Sequence, residues 1–174
     1  FHTGGLLTRR AALRAAFAHA AFLLGHADEA TTERLRRSLS TMVTGWDVAT
    51  VSAIVSETVR ESIEPTVYAE ALDLIAHHHA EGRDVVIVSA SSTEIVEPVA
   101  AMLGADHVVA SRMEVVDGRY TGAITTYAYG PAKADAVRDL ADREGYDLTA
   151  SYAYSDSVTD VPLLETVGHA AVVN

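Results

Sequence analysis

Two aspartates four residues apart, Asp156 and Asp160, stand in the segment SYAYSDSVTDVPLL at 151–164, where a short apolar run turns polar and then apolar again. A carboxylate at the tip of a buried strand can hold magnesium, which takes a few carboxylate oxygens, several waters and the oxygens of a bound phosphate. Asp160 has a second reading, as the cap of a helix carrying Pro162 in its first turn. A matching passage, VIVSASSTEIV at 86–96, runs from β-branched residues into three serines. The Ser89 hydroxyl and the N–H groups of Ala90 and Ser91 can hold an oxyanion such as phosphate. Ser91 followed by Glu94 also fits a capping box, and the two readings are compatible, since Ser91 can cap while Ser89 binds. Between these places lies YGPAKADAVRDLA at 129–141, with Pro131 suited to a helix start and Lys133 two residues on. A lysine in a first turn opposes the helix dipole by ~0.3–1 kcal/mol, a mismatch that points to a binding task.

The elements that must carry these residues follow from the hydrophobic period. From Leu6 to about Ala80, apolar residues recur at helical spacing in four stretches, with Gly25 and Gly82 at helix ends, Asp47 as a cap and Pro65 beside the start of the fourth. Beyond Gly82 the pattern changes to short apolar runs at 84–90, 107–111, 151–156 and 170–174, separated by helical segments near 93–103, 132–144 and 160–167. Strand, helix, strand implies a parallel sheet with helices on its faces. A hairpin, MEVVDGRYTGAI at 113–124, interrupts the alternation and turns at Asp117 and Gly118. The expected fold is therefore α/β: a Rossmann-like parallel sheet core over residues 82–174, flanked by helices, and an all-helical domain over residues 1–81.

Composition excludes several function classes. Thirteen basic against twenty-four acidic side chains give a net charge of −11, which argues against a nucleic-acid partner or an anionic membrane surface. The absence of cysteine excludes disulfides and thiolate metal sites and fits a reducing compartment, so a cytoplasmic location is expected. The apolar stretch at 11–24 carries Arg14 and His19 and is too short to span a bilayer; with Arg9 and Arg10 it reads as a helix with one wet face. His77, His78 and His79 look like a metal tract, but consecutive helical positions point in different directions, so a solvated helix end is expected. Trp46 reads as packing. Nothing in the sequence speaks to oligomeric state.

Taken together, VVIVSA ending near Ser89, the lysine at a helix start and YSDSVTDVPLLETVG resemble the second, third and fourth motifs of the haloacid dehalogenase-like hydrolases, in particular the phosphoserine phosphatase-like branch with a helical cap. The aspartate-rich turn is the specific one. The resemblance covers nearly the whole chain, identifies residues 1–81 as the cap and 82–174 as the hydrolase core, and implies a magnesium-dependent phosphomonoester hydrolase working through an aspartyl-phosphate on phosphoserine or another small phosphomonoester. It implies that Ser89 and Ala90 bind phosphoryl oxygens, that Lys133 neutralises charge between phosphate and nucleophile, that Asp156 ligates Mg2+, and that Asp160 steadies Lys133 or the metal's water shell. The family's first motif, which carries the nucleophilic aspartate, has no counterpart here, so the nucleophile strand is expected before Phe1, between the strands ending at Ser89 and Asp156, and residues 1–174 alone are expected to be inactive. The alternative is a non-catalytic relative or truncated product that binds phosphate or a partner without turnover.

Overall fold

The computed structural model describes residues 11–12, 15–16, 34, 37–38 and 40–173. The expectations placed on the rest of the 6–39 region, including Arg9, Arg10, Arg14 and Gly25, lie outside the described residues. Over residues 40–173 the chain runs α1 (Val48–Ile63), α2 (Ala69–Ala80), β1 (Val86–Ser92), α3 (Thr93–Leu103), β2 (His107–Val116), β3 (Arg119–Thr126), α4 (Pro131–Glu144), β4 (Tyr152–Ser155), α5 (Val161–Leu164) and β5 (His169–Val172). The architecture is α/β, helical up to Ala80 and alternating beyond it, with β1–β2 and β4–β5 parallel. Among the described residues, no helix is long and apolar enough to cross a membrane.

Local chemistry sets the element ends. Asp47 opens α1 by accepting from the Thr50 N–H at 2.9 Å, satisfying one of the helix's orphan donors. Pro65 lies in a 3-10 turn at Glu64–Thr66 that closes α1, and extended Val67 and Tyr68 separate it from α2. The hairpin is longer than expected. β2 is one continuous strand that pairs parallel with β1 through its first half and antiparallel with β3 through its second. Its turn is built by Asp117 (φ 50°) and Gly118 (φ 74°), both in the left-handed region that a tight two-residue hairpin turn demands.

Two sheets result, ordered β1-β2-β3 and β4-β5, and among the described residues β1 and β4 do not pair with each other. One core, Val109, Ala128 and Leu140 with Val86 and Val88 against it, lies between the larger sheet and α4. The other joins Val43, Val51, Ile54, Val55 and Val59 to Ile95 of α3 and Tyr120 of β3, with Trp46 packed against it, so it crosses the division expected at 81/82. Backbone bonds reinforce this union: Gly45 N–H donates to Tyr120 O at 2.7 Å and Val48 N–H to Gly118 O at 3.0 Å, covering the outer edge of β3. Close approach explains Gly122, where a Cβ would fall 2.3 Å from Thr44 Oγ1.

Candidate active site

Helix α4 starts at Pro131 after Gly130, whose φ of 53° and ψ of −127° turn the chain in a way that glycine permits. Lys133 therefore sits in the first turn, and its side chain runs inward instead of into water. Its Nζ donates to Asp160 Oδ1 at 2.6 Å, and the two side chains are only 9% and 10% exposed. The second oxygen, Oδ2, accepts from Ser155 Oγ at 2.9 Å. Ser155 ends β4, and its Oγ accepts in turn from the Ser157 N–H at 3.1 Å. Asp160 stands at the cap position of α5, yet its side chain makes no capping bond, because both oxygens are engaged elsewhere.

Asp156 follows Ser155 directly, is exposed, and has no hydrogen bond or ion pair among the described residues. Of the two aspartates, only Asp156 keeps an uncommitted carboxylate. An exposed carboxylate with both oxygens uncommitted is the kind of donor that could hold a magnesium ion whose remaining places are filled by water and phosphate oxygens. No group of three or more His, Asp or Glu side chains among the described residues could hold a metal unaided.

Ser89 and Ala90 occupy an irregular part of β1. Register holds from Val86↔His107 to Val88↔Val109 and resumes at Ser92↔Ser111, so Ser89, Ala90 and Ser91 bulge opposite the single residue Ala110. A bulge takes backbone groups out of the ladder and re-aims side chains. Within it the Ser91 N–H donates to Ser89 Oγ at 3.2 Å, leaving the Ser89 hydroxyl proton to donate elsewhere. The capping box at Ser91 and Glu94 does not form. The strand continues to Ser92, which becomes the cap position without a side-chain bond, while Glu94 accepts from Tyr120 O–H at 2.8 Å.

The structure thus brings Lys133 and Ser155 each onto Asp160, leaves Asp156 next to Ser155 along the chain, and places Ser89 and Ala90 in the β1 bulge, with no hydrogen bond among the described residues from either to Lys133 or Asp160. Ser111 escaped the sequence reading. It is 2% exposed, donates to Ala90 O at 2.7 Å and accepts from Ala128 N–H at 3.1 Å, tying the bulge to the loop before α4. Its one signal was a small polar residue closing the apolar run HVVAS.

The histidine tract corrects an expectation at one of its three positions: His77 and His79 are exposed, as a solvated helix end implies, and His78 is not. His78 is buried, not solvated: its Nε2 pairs with Tyr154 O–H at 3.0 Å, its ring lies 5.1 Å from that of Tyr152, and burial pushes its pKa below 6.5. His79 turns away to Asp106 Oδ2 at 2.9 Å. The three do not converge on a metal.

The profile of the haloacid dehalogenase-like hydrolases matches residues 2–165. The chain is 55% identical over 175 residues to a Streptomyces azureus protein named "Inhibition of morphological differentiation protein", covering 100% of this chain and 63% of that one. It is 55% identical over 174 residues to "Probable phosphatase Rv3661" of Mycobacterium tuberculosis, covering 100% and 61%. Phosphoserine phosphatase SerB1 of the same organism is 34% identical over 169 residues, covering 96% and 55%. The chain therefore spans 55–63% of the length of these relatives. Among solved structures, a Bordetella pertussis protein of unknown function superposes with a TM-score of 0.73 at 28% identity, covering 89% of this chain and 81% of that one. A substrate-bound phosphoserine phosphatase shares the fold at a TM-score of 0.57 and 18% identity, covering 90% and 78%. The chain belongs to the haloacid dehalogenase-like hydrolases.

Proposed function

We propose that the protein is a magnesium-dependent phosphatase that hydrolyses phosphoserine or another small phosphomonoester. The observation that carries this reading is the buried Lys133–Asp160 pair beside the unpaired Asp156. The ammonium paired with Asp160 is held in one place with N–H donors left over, so it can give an anionic substrate an oriented, charge-assisted hydrogen bond.

In this scheme a carboxylate oxygen of an aspartate attacks phosphorus, the bond from phosphorus to the substrate oxygen breaks, and a second carboxyl group gives its proton to the leaving alcohol. Water then attacks the aspartyl-phosphate and releases inorganic phosphate. Ser89 and the Ala90 N–H bind phosphoryl oxygens, Lys133 lowers the charge between phosphate and nucleophile, and Asp160 fixes the lysine. Asp156 would hold magnesium, which would offset the repulsion between a phosphate dianion and the attacking carboxylate. We assign the nucleophile to a further strand lying between β1 and β4; that β1 and β4 stand in separate sheets with no strand between them among the described residues supports this placement. Residues 1–81 act as the cap over this site, and a cytoplasmic location goes with the reading.

Thermal unfolding with magnesium and inorganic phosphate tests it. A ligand at 100 times its dissociation constant stabilises by about 2.7 kcal/mol, and Lys133→Ala is expected to remove most of that protection. Equal protection of both proteins refutes the assignment. Protection by phosphate with no turnover of any phosphomonoester supports the alternative, a phosphate-binding relative without catalysis.

A further inference from the structure

We infer that Ser111 is the positioning residue of the phosphoryl-binding bulge, acting on Ser89 through one peptide unit. The inference rests on the phosphatase reading and deepens it. Ser111 Oγ donates to the Ala90 carbonyl at 2.7 Å, and that carbonyl shares a planar peptide with the Ser91 N–H, which points the opposite way. The same N–H donates to Ser89 Oγ at 3.2 Å. Holding the carbonyl therefore aims the N–H at a lone pair of Ser89, and the Ser89 proton is left to donate to a phosphoryl oxygen. Bonds in such a chain polarise one another, which makes Ser89 a better donor than an isolated serine.

The other side of Ser111 explains why this side chain can act as an anchor. Its Oγ accepts from the Ala128 N–H at 3.1 Å, and Ala128 is 1% exposed in the core beneath α4. Tyr127 and Tyr129 stack on each other, centroids 5.5 Å apart and planes 6° apart, within the same loop. Gly130 and Pro131 then lead to Lys133. One hydroxyl thus sets the spacing between the element that carries Ser89 and the element that carries Lys133. With 2% exposure and one donor and one acceptor bond, it has no further partner to exchange for water.

The test compares Ser111→Ala, Ser89→Ala and Tyr120→Phe in the intact protein, measuring thermal unfolding, aryl phosphate hydrolysis and inhibition by inorganic phosphate. Tyr120→Phe removes a buried hydroxyl in the other core and serves as the control for lost stability. Ser111→Ala is expected to raise the phosphate inhibition constant and lower kcat/KM, each by about tenfold, while Tyr120→Phe leaves both unchanged at a comparable loss of thermal stability. Combining Ser111→Ala with Ser89→Ala should add little to Ser89→Ala alone, because both act on one donor. Should Ser111→Ala fail to fold, Ser111→Cys, a weaker donor of similar size, carries the same expectation. Normal phosphate inhibition and kcat/KM in a folded Ser111 variant, with Ser89→Ala impaired, overturn the inference and leave the phosphatase reading standing. A wild-type protein that neither binds phosphate nor hydrolyses the ester overturns both.

Discussion

Lys133 Nζ and Asp160 Oδ1 lie 2.6 Å apart with their side chains 9% and 10% exposed. Two charges so far out of water each depend on the other, since the attraction between them offsets a desolvation penalty of several kcal/mol per ion. Ser155 completes the arrangement by donating to the remaining carboxylate oxygen.

Breaking that pair from either side should be severe. Lys133→Met and Asp160→Leu are each expected to lower stability by about 3–5 kcal/mol, because each leaves one buried charge unpaired. The double variant should recover a large part of the loss. Denaturant midpoints of the four proteins measure this, and additive losses would mean that the pair is solvated in solution.

His78 should make stability sensitive to pH near neutrality. Its folded pKa lies below 6.5, first through burial, then through Arg83, His77 and His79, while Tyr152 and Tyr154 face it from β4 without charge. The unfolded chain therefore binds the proton more readily. Stability from neutral His78 is present above pH 6.5 and is lost as pH falls through the unfolded and then the folded pKa. Thermal unfolding of wild type and His78→Gln from pH 8 to about 5 tests the sign. Wild type should lose more on acidification than the variant.

Tyr120 should report on the union of helical region and core. Its hydroxyl donates to Glu94 Oε1 at 2.8 Å, and Glu94 Oε2 is buried without a partner. Burial, followed by the charge and hydrogen bond of Glu94, pushes the phenol pKa well above 10.0, so it remains a donor at neutral pH. Tyr120→Phe is expected to lose about 1–3 kcal/mol in denaturant unfolding, since Glu94 Oε1 keeps only a long contact from Thr93. An unchanged midpoint would show that water replaces the phenol.

Sequence periodicity was enough for the change of architecture at Gly82, for α3, for the Asp47 cap and for the Asp117–Gly118 turn, because each is a local property of side-chain spacing or of one special residue. Lys133 and Asp160 were legible as candidates; their contact, one of the two roles the resemblance implied for Asp160, could not be read from spacing, since it joins residues 27 apart through an inward turn of α4. The bulge at Ser89 and the role of Ser111 were hidden for a related reason. Whether a serine caps a helix or holds a neighbouring strand depends on register, and register is settled between β1 and β2. His78 was misread because its polarity suggested water, whereas Tyr152 and Tyr154 of β4 cover it. The shared core of α1, α3 and β3 was likewise invisible, for packing across domains leaves no period in either one.

The account stands or falls on Asp156 as the magnesium-bearing carboxylate of a phosphatase. Aryl phosphate hydrolysis by the whole protein should require magnesium, and Asp156→Asn should lower kcat by at least about 100-fold with circular dichroism unchanged; on the proposed placement of the nucleophile, residues 1–174 alone should show negligible turnover. Undiminished magnesium-dependent hydrolysis by Asp156→Asn would contradict the assignment, and turnover by residues 1–174 alone would place the nucleophile within them.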